Sequence, residues 1–171
     1  MRRTLSALLL TALLAAGEPT EVPEYLFKSI LVKKLADFVE WPSSDASRPF
    51  VVGVLGKSPF GEYLGAVYAS RPIKGRRVRI LPLSNVEEAA KVDLLFICAS
   101  EKHRVQAILA ALGNKEVLTL GDTEGFAQAG VMVNVRMREG SPFFELNLRS
   151  FQRARLSVNP HFVRIAREVI E

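Results

Sequence analysis

Residues 50–60 read FVVGVLGKSPF. Residues 50–55 are apolar without polar alternation, which fits a strand covered on both faces, the setting of a parallel sheet. Ser58-Pro59 then opens a helix over 59–68. A serine oxygen satisfies free N–H groups of a first turn, and proline is preset for the first helical position. Residues 92–98, VDLLFIC, repeat the pattern. Ser100 caps the helix that follows, and Gly113 ends it after Leu112. Strands alternating with helices in this way build an α/β sheet with a parallel centre.

The rest of the chain extends that frame. Residues 24–40 carry Phe27, Leu31, Leu35 and Phe38 on one helical stripe, with Lys28, Lys33 and Asp37 turned elsewhere, and Pro42 stops the helix. Residues 77–81 are a second strand. Ser84 and Glu87 have capping-box spacing ahead of a short helix. Residues 117–120 form a further strand, and 126–129 a helical turn. Then the period changes to two. Val131, Val133, Val135 and Met137 alternate with polar residues, as do Phe144, Leu146 and Leu148, around Glu139-Gly140-Ser141-Pro142. This is an antiparallel hairpin whose wetter face holds Asn134, Arg136, Glu145 and Asn147. Asn159-Pro160 starts a last helix with Phe162, Val163, Ala166, Val169 and Ile170 on its apolar side. The expected architecture is a Rossmann-like three-layer sandwich: a mostly parallel central sheet, an antiparallel C-terminal hairpin, and helices on both faces.

The first residues set the compartment. Arg2 and Arg3 precede an apolar run from Leu5 to Ala16, and Ala15-Ala16-Gly17 ends it with small residues at the cleavage positions. Residues 1–17 therefore read as a signal peptide, too short for the ~20 residues of a bilayer span, and 22–171 as one domain. Export to the periplasm makes nucleoside-triphosphate chemistry unattractive. Without Arg2 and Arg3, 21 basic side chains stand against 18 acidic ones. That excess is too mild, and too poor in readable motifs, for nucleic-acid binding. One cysteine and two histidines exclude an internal disulfide and leave little for a metal site. No cofactor is expected.

Candidate chemistry lies where the parallel strands end. Gly56-Lys57-Ser58 has the strand–turn–helix setting of a phosphate loop, but the motif needs a glycine where Val51 stands. Lys57, Ser58, Ser100, Glu101 and Asp122 are the candidate ligand face. Ser100, His103 and Asp122 can be sketched as the nucleophilic triad of a hydrolase, but no nucleophile elbow accompanies them. Cys98 ends an apolar strand and reads as a structural thiol. Arg71, Lys74, Arg76, Arg77 and Arg79 form a basic cluster, either solvated surface or a patch for anionic lipid heads or an acidic partner. Phe38, Glu40 and Trp41, at the end of the first helix, are the candidate partner-binding residues, since tryptophan is favoured at interfaces.

Several segments in order carry a resemblance. They are Phe38-Val39-Glu40-Trp41-Pro42, Val52-Gly53-Val54-Leu55-Gly56 into Ser58-Pro59-Phe60-Gly61, Leu94-Leu95-Phe96-Ile97 into Ser100-Glu101, Val117-Leu118-Thr119-Leu120-Gly121-Asp122, Gly125-Phe126-Ala127 and Phe144-Glu145-Leu146-Asn147. Over about residues 25–169 the chain resembles the YfiR-like family of periplasmic regulatory proteins. The resemblance implies a secreted, non-enzymatic α/β domain. Its partner would be the periplasmic region of an inner-membrane signalling protein, a diguanylate cyclase or sensor kinase. Repression of a diguanylate cyclase would link it to cyclic di-GMP and biofilm formation. Self-association, as a homodimer, is implied too. Some relatives carry paired cysteines; here Asp93 stands at one such place and Cys98 has no partner, so redox control through an internal disulfide is not expected. A small-ligand-sensing module is the alternative function.

Overall fold

The computed structural model describes residues 23–171 apart from residue 44; the signal-peptide expectation for residues 1–17 lies outside the described residues. Helix α1 (Glu24–Asp37) leads into β1 (Val39–Glu40). The first α/β units follow: β2 (Phe50–Leu55), α2 (Tyr63–Tyr68), β3 (Val78–Leu83), α3 (Val86–Ala89) and β4 (Leu94–Ile97). A 3-10 turn (Ala99–Arg104) runs into α4 (Val105–Leu112), and β5 (Leu118–Gly121) and α5 (Phe126–Ala129) complete the parallel part. The C-terminal part is β6 (Val133–Arg138), β7 (Ser141–Asn147), α6 (Leu148–Arg153), β8 (Ser157–Val158), α7 (Pro160–Ile165) and β9 (Glu168–Ile170).

Seven strands make one sheet in the order β3-β2-β4-β5-β6-β7-β9, and β1 pairs with β8 in a separate two-stranded ladder. The strands β3, β2, β4, β5 and β6 pair in parallel, β7 is antiparallel to β6, and β9 is parallel to β7. Alternate residues face opposite sides, and both sides are apolar. Phe50, Val52, Val54, Leu94 and Phe96 pack with Leu31, Val32 and Leu35 of α1, Leu64 and Tyr68 of α2, and Phe162 of α7. Leu55, Leu95 and Ile97 pack with Ala89, Val105, Ile108, Leu112 and Phe126 on the other side. Double coverage is what the unbroken apolar runs of β2 and β4 require.

Several boundaries differ from the sequence reading. Helix α1 stops at Asp37, because Phe38 stacks on Phe162 at 4.9 Å and β1 pairs with β8. Lys28 is buried on α1 rather than turned outward. Ser58 accepts a bond from the Phe60 N–H, yet α2 begins only at Tyr63, after Gly61 takes a positive φ of 52°. The short α3 is capped by Asn85, whose side chain accepts from the Glu88 N–H, in place of Ser84. Helix α6 was not legible in the hairpin's continuation. The last helix ends at Ile165, so Val169 and Ile170 belong to a strand. Val169 pairs with Leu146, and the Arg167 N–H donates to the Phe144 carbonyl at 2.8 Å.

Gly121 closes β5 under the Phe126 ring. A Cβ there would collide with Phe126 Cδ2 and lie 3.2 Å from its Cε2. Gly121→Ala should therefore cost about 1–3 kcal/mol of stability by overpacking, read as a lower urea midpoint with unchanged slope.

Candidate functional site

Parallel strands deliver two expected groups to their C-terminal ends, where each is engaged by the fold. Gly56 turns with φ of 98°, and its missing Cβ makes room for Ser100 and Glu101. The Ser100 Oγ accepts the Lys57 N–H at 2.9 Å and donates to Glu101 at 3.2 Å, and Glu101 pairs with Arg104. Ser100 therefore ties two strand ends together instead of capping a helix. Lys57 and Ser58 are exposed beside it.

Asp122, at the end of β5, belongs to a different network. Its carboxylate accepts the Tyr25 hydroxyl at 3.0 Å and the Lys28 ammonium at 2.7 Å, and Glu24 completes the Lys28 pair. The Lys28 and Asp122 side chains are 6% and 4% exposed. This buried pair fastens α1 across the strand ends. Burial, with the Asp122 carboxylate beside it, raises the Tyr25 phenol well above its ordinary value. Among the described residues no hydrogen bond joins His103 to Ser100 or Asp122, so the nucleophile–base–orienter chain of a hydrolase is not assembled.

The opposite end of the sheet is organised by Asp93, just before β4. Its carboxylate receives two bonds from Arg48, at 2.9 and 2.6 Å, one from Arg76 at 2.8 Å and one from the Val51 N–H at 2.8 Å. Arg76 also donates to the Arg48 and Pro49 carbonyls and lies over the Phe50 ring, 5.0 Å from its centre. Arg76 is buried, in contrast to the solvated or partner-facing cluster read from 71–79. Trp41 joins this end: its indole N–H donates to the Asp93 carbonyl at 3.3 Å, and its ring meets Phe50 edge-on at 5.5 Å.

The candidate partner-binding residues thus differ in placement. Phe38 packs on the core. The side chain of Glu40 is 76% exposed and pairs with Lys74. Trp41 is half-buried and lines a groove of about 520 Å³ with Arg48, Lys91, Lys115, Glu116 and Arg155.

The hairpin is drier than its alternation implied. Asn134, Glu145 and Asn147 are buried. Asn134 donates to Glu145 at 2.7 Å, and Asn147 to the Ala127 carbonyl at 2.9 Å. Beside them lies a cleft of about 570 Å³ lined by Arg136, Phe143, Glu145 and Arg167, with the Arg167 guanidinium stacked 4.9 Å from the Phe143 ring centre. Among the described residues, no three of His, Cys, Asp and Glu gather to hold a metal, and no helix is long and apolar enough to cross a membrane.

The polar groups at the strand ends of this α/β sandwich are bonded to one another. The sequence matches the YfiR/HmsC-like family, DUF4154, over residues 25–167, and the chain belongs to that family. No curated protein matches the sequence. Among solved structures, the fold is similar to a conserved domain protein from Vibrio cholerae O1 biovar El Tor str. N16961, with a TM-score of 0.61 and 9% identity over 87% of this chain and 61% of that one. It is also similar to an ABC domain from Streptococcus pneumoniae in complex with L-Trp, with a TM-score of 0.55 and 12% identity over 85% of this chain and 60% of that one. The chain spans about three-fifths of each neighbour's length, and at these identities the likeness is one of fold.

Two outcomes follow from the Asp122 end. Lys28→Met leaves a buried carboxylate without its cation and should cost about 3–5 kcal/mol, measured by denaturant melts, with Asp122→Leu in the same chain recovering much of the loss. Burial, aided by the Asp122 and Glu101 carboxylates, pushes the Cys98 thiol up to about 12. At pH 8 a thiol reagent should label native protein roughly a thousandfold more slowly than urea-unfolded protein, from thiolate fraction alone.

Proposed function

We propose that this chain is a periplasmic, non-enzymatic regulator that binds the periplasmic region of an inner-membrane signalling protein and represses a diguanylate cyclase. Family membership over residues 25–167 carries the reading. The Ser100, Glu101 and Asp122 networks support it, since they occupy the strand ends with internal bonds rather than with a free catalytic set. The partner surface in this proposal is the end of α1 and the turn after it, where Glu40 is exposed, Trp41 is half-buried and Phe38 packs on the core. Homodimerisation belongs to the same reading.

The alternative, a small-ligand-sensing module, draws on the Arg136–Phe143–Glu145–Arg167 cleft, which has the volume of a small-molecule site. A ligand bound only by the native state raises the melting temperature, so a thermal-shift panel of small charged metabolites separates the two readings.

Deleting the gene in its own host should raise cyclic di-GMP. The full chain should restore the lower level, and a chain lacking residues 2–17 should not. Unchanged cyclic di-GMP on deletion contradicts the proposal. Mature protein beginning near residue 18 in the periplasmic fraction is the matching result for export.

A further inference from the structure

The Trp41 groove carries more charge than its structural pairs use. Arg48, which is exposed, and the buried Arg76 share the single Asp93 carboxylate, so the cluster keeps an excess positive charge. Among the described residues, Glu116 is the one acid lining the groove. It is held by the Ser43 N–H and hydroxyl, each at 3.1 Å, and by Arg155 at 3.4 Å. Lys91 and Lys115 line the same wall, and among the described residues neither ammonium has an ion-pair partner. A half-buried tryptophan thus sits in a slot walled by four cationic side chains and one carboxylate that already has partners.

We infer that this groove is the docking site for an acidic segment of the protein partner, with carboxylates meeting Lys91, Lys115 and Arg155 and an apolar side chain resting against Trp41. The inference deepens the proposed function and rests on it. Charge complementarity selects an acidic occupant. The shape selects a protein segment over a lipid surface. Trp41 is held back by Phe50 and by the Asp93 carbonyl, so it does not project to insert into a bilayer. Among the described residues the one large exposed apolar side chain is Ile165, at 49% exposure on α7 and outside the groove lining. A second copy of the chain is less suited, because a symmetric contact would oppose like charges.

The test uses the full chain in its own host with a photocrosslinking residue at position 91, and with one at position 138 on the hairpin as control. The expected result is a crosslink from position 91 to an acidic periplasmic segment of one inner-membrane protein. Lys91→Glu with Lys115→Glu should weaken binding of that protein roughly tenfold or more at moderate salt. The melting temperature should be unchanged, because both side chains are exposed. Glutamate-to-lysine changes in the crosslinked segment should restore binding to the doubly reversed variant. Binding insensitive to the charge reversal, crosslinks confined to position 138, or crosslinks only to lipid overturn the docking site while the regulatory reading stands. Crosslinks from position 91 only to copies of the chain, or to no inner-membrane protein, overturn the docking site as well, whereas unchanged cyclic di-GMP on gene deletion overturns the regulatory reading and the docking site together.

Discussion

One carboxylate, that of Asp93, organises the end of the molecule where α1 has just finished and the sheet begins. It is 2% exposed and meets an Arg76 guanidinium that is 3% exposed. A buried acid of this kind is tolerated only when its charge is matched and its lone pairs are filled. Here two arginines and the Val51 N–H do both. The backbone of the same residue pins three further elements: its N–H bonds Val51, and its carbonyl receives the Leu118 N–H and the Trp41 indole. Strands β2, β4 and β5, the loop before β2 and the turn after α1 are therefore fixed in one place by one residue.

A second buried pair, Lys28 with Asp122, performs the corresponding task at the far end of α1. The helix is thereby held across one face of the sheet by an ion pair near its start and by aromatic packing at its close, where Phe38 stacks on Phe162. With α1 tethered at both ends, Trp41 is presented from a rigid support, which lowers the conformational cost of binding a partner. The cationic groove and the Trp41 ring are parts of one frame.

The sheet was legible because β2 and β4 are covered on both faces and so lack polar interruption, while β6 and β7 alternate. The last strand was not. Val169 and Ile170 fit a helical stripe extending from Phe162, and only the edge of β7, far earlier in the chain, turns them into β9. Lys28 shows the same limit: a lysine among helix residues reads as solvent-facing until a carboxylate 94 positions later is brought beside it. Arg76 was hidden within a run of basic residues, and Asp93 inside an apolar strand was the one available signal that a buried cation had to be near. At the strand ends, Ser100, Glu101 and Asp122 are polar and near the sheet, but sequence separation says nothing about whether such groups face a ligand or one another.

The Trp41 end depends on the Asp93–Arg76 pair acting as a unit. A double-mutant cycle with Asp93→Asn and Arg76→Met, followed by denaturant unfolding, measures it directly. Each single change should be strongly destabilising, and the two should be coupled by about 1.5 kcal/mol or more, as close buried charge pairs are. Additivity within about 0.5 kcal/mol would contradict it, because two residues that do not sense each other's loss cannot be the constraint on which the Trp41 end depends.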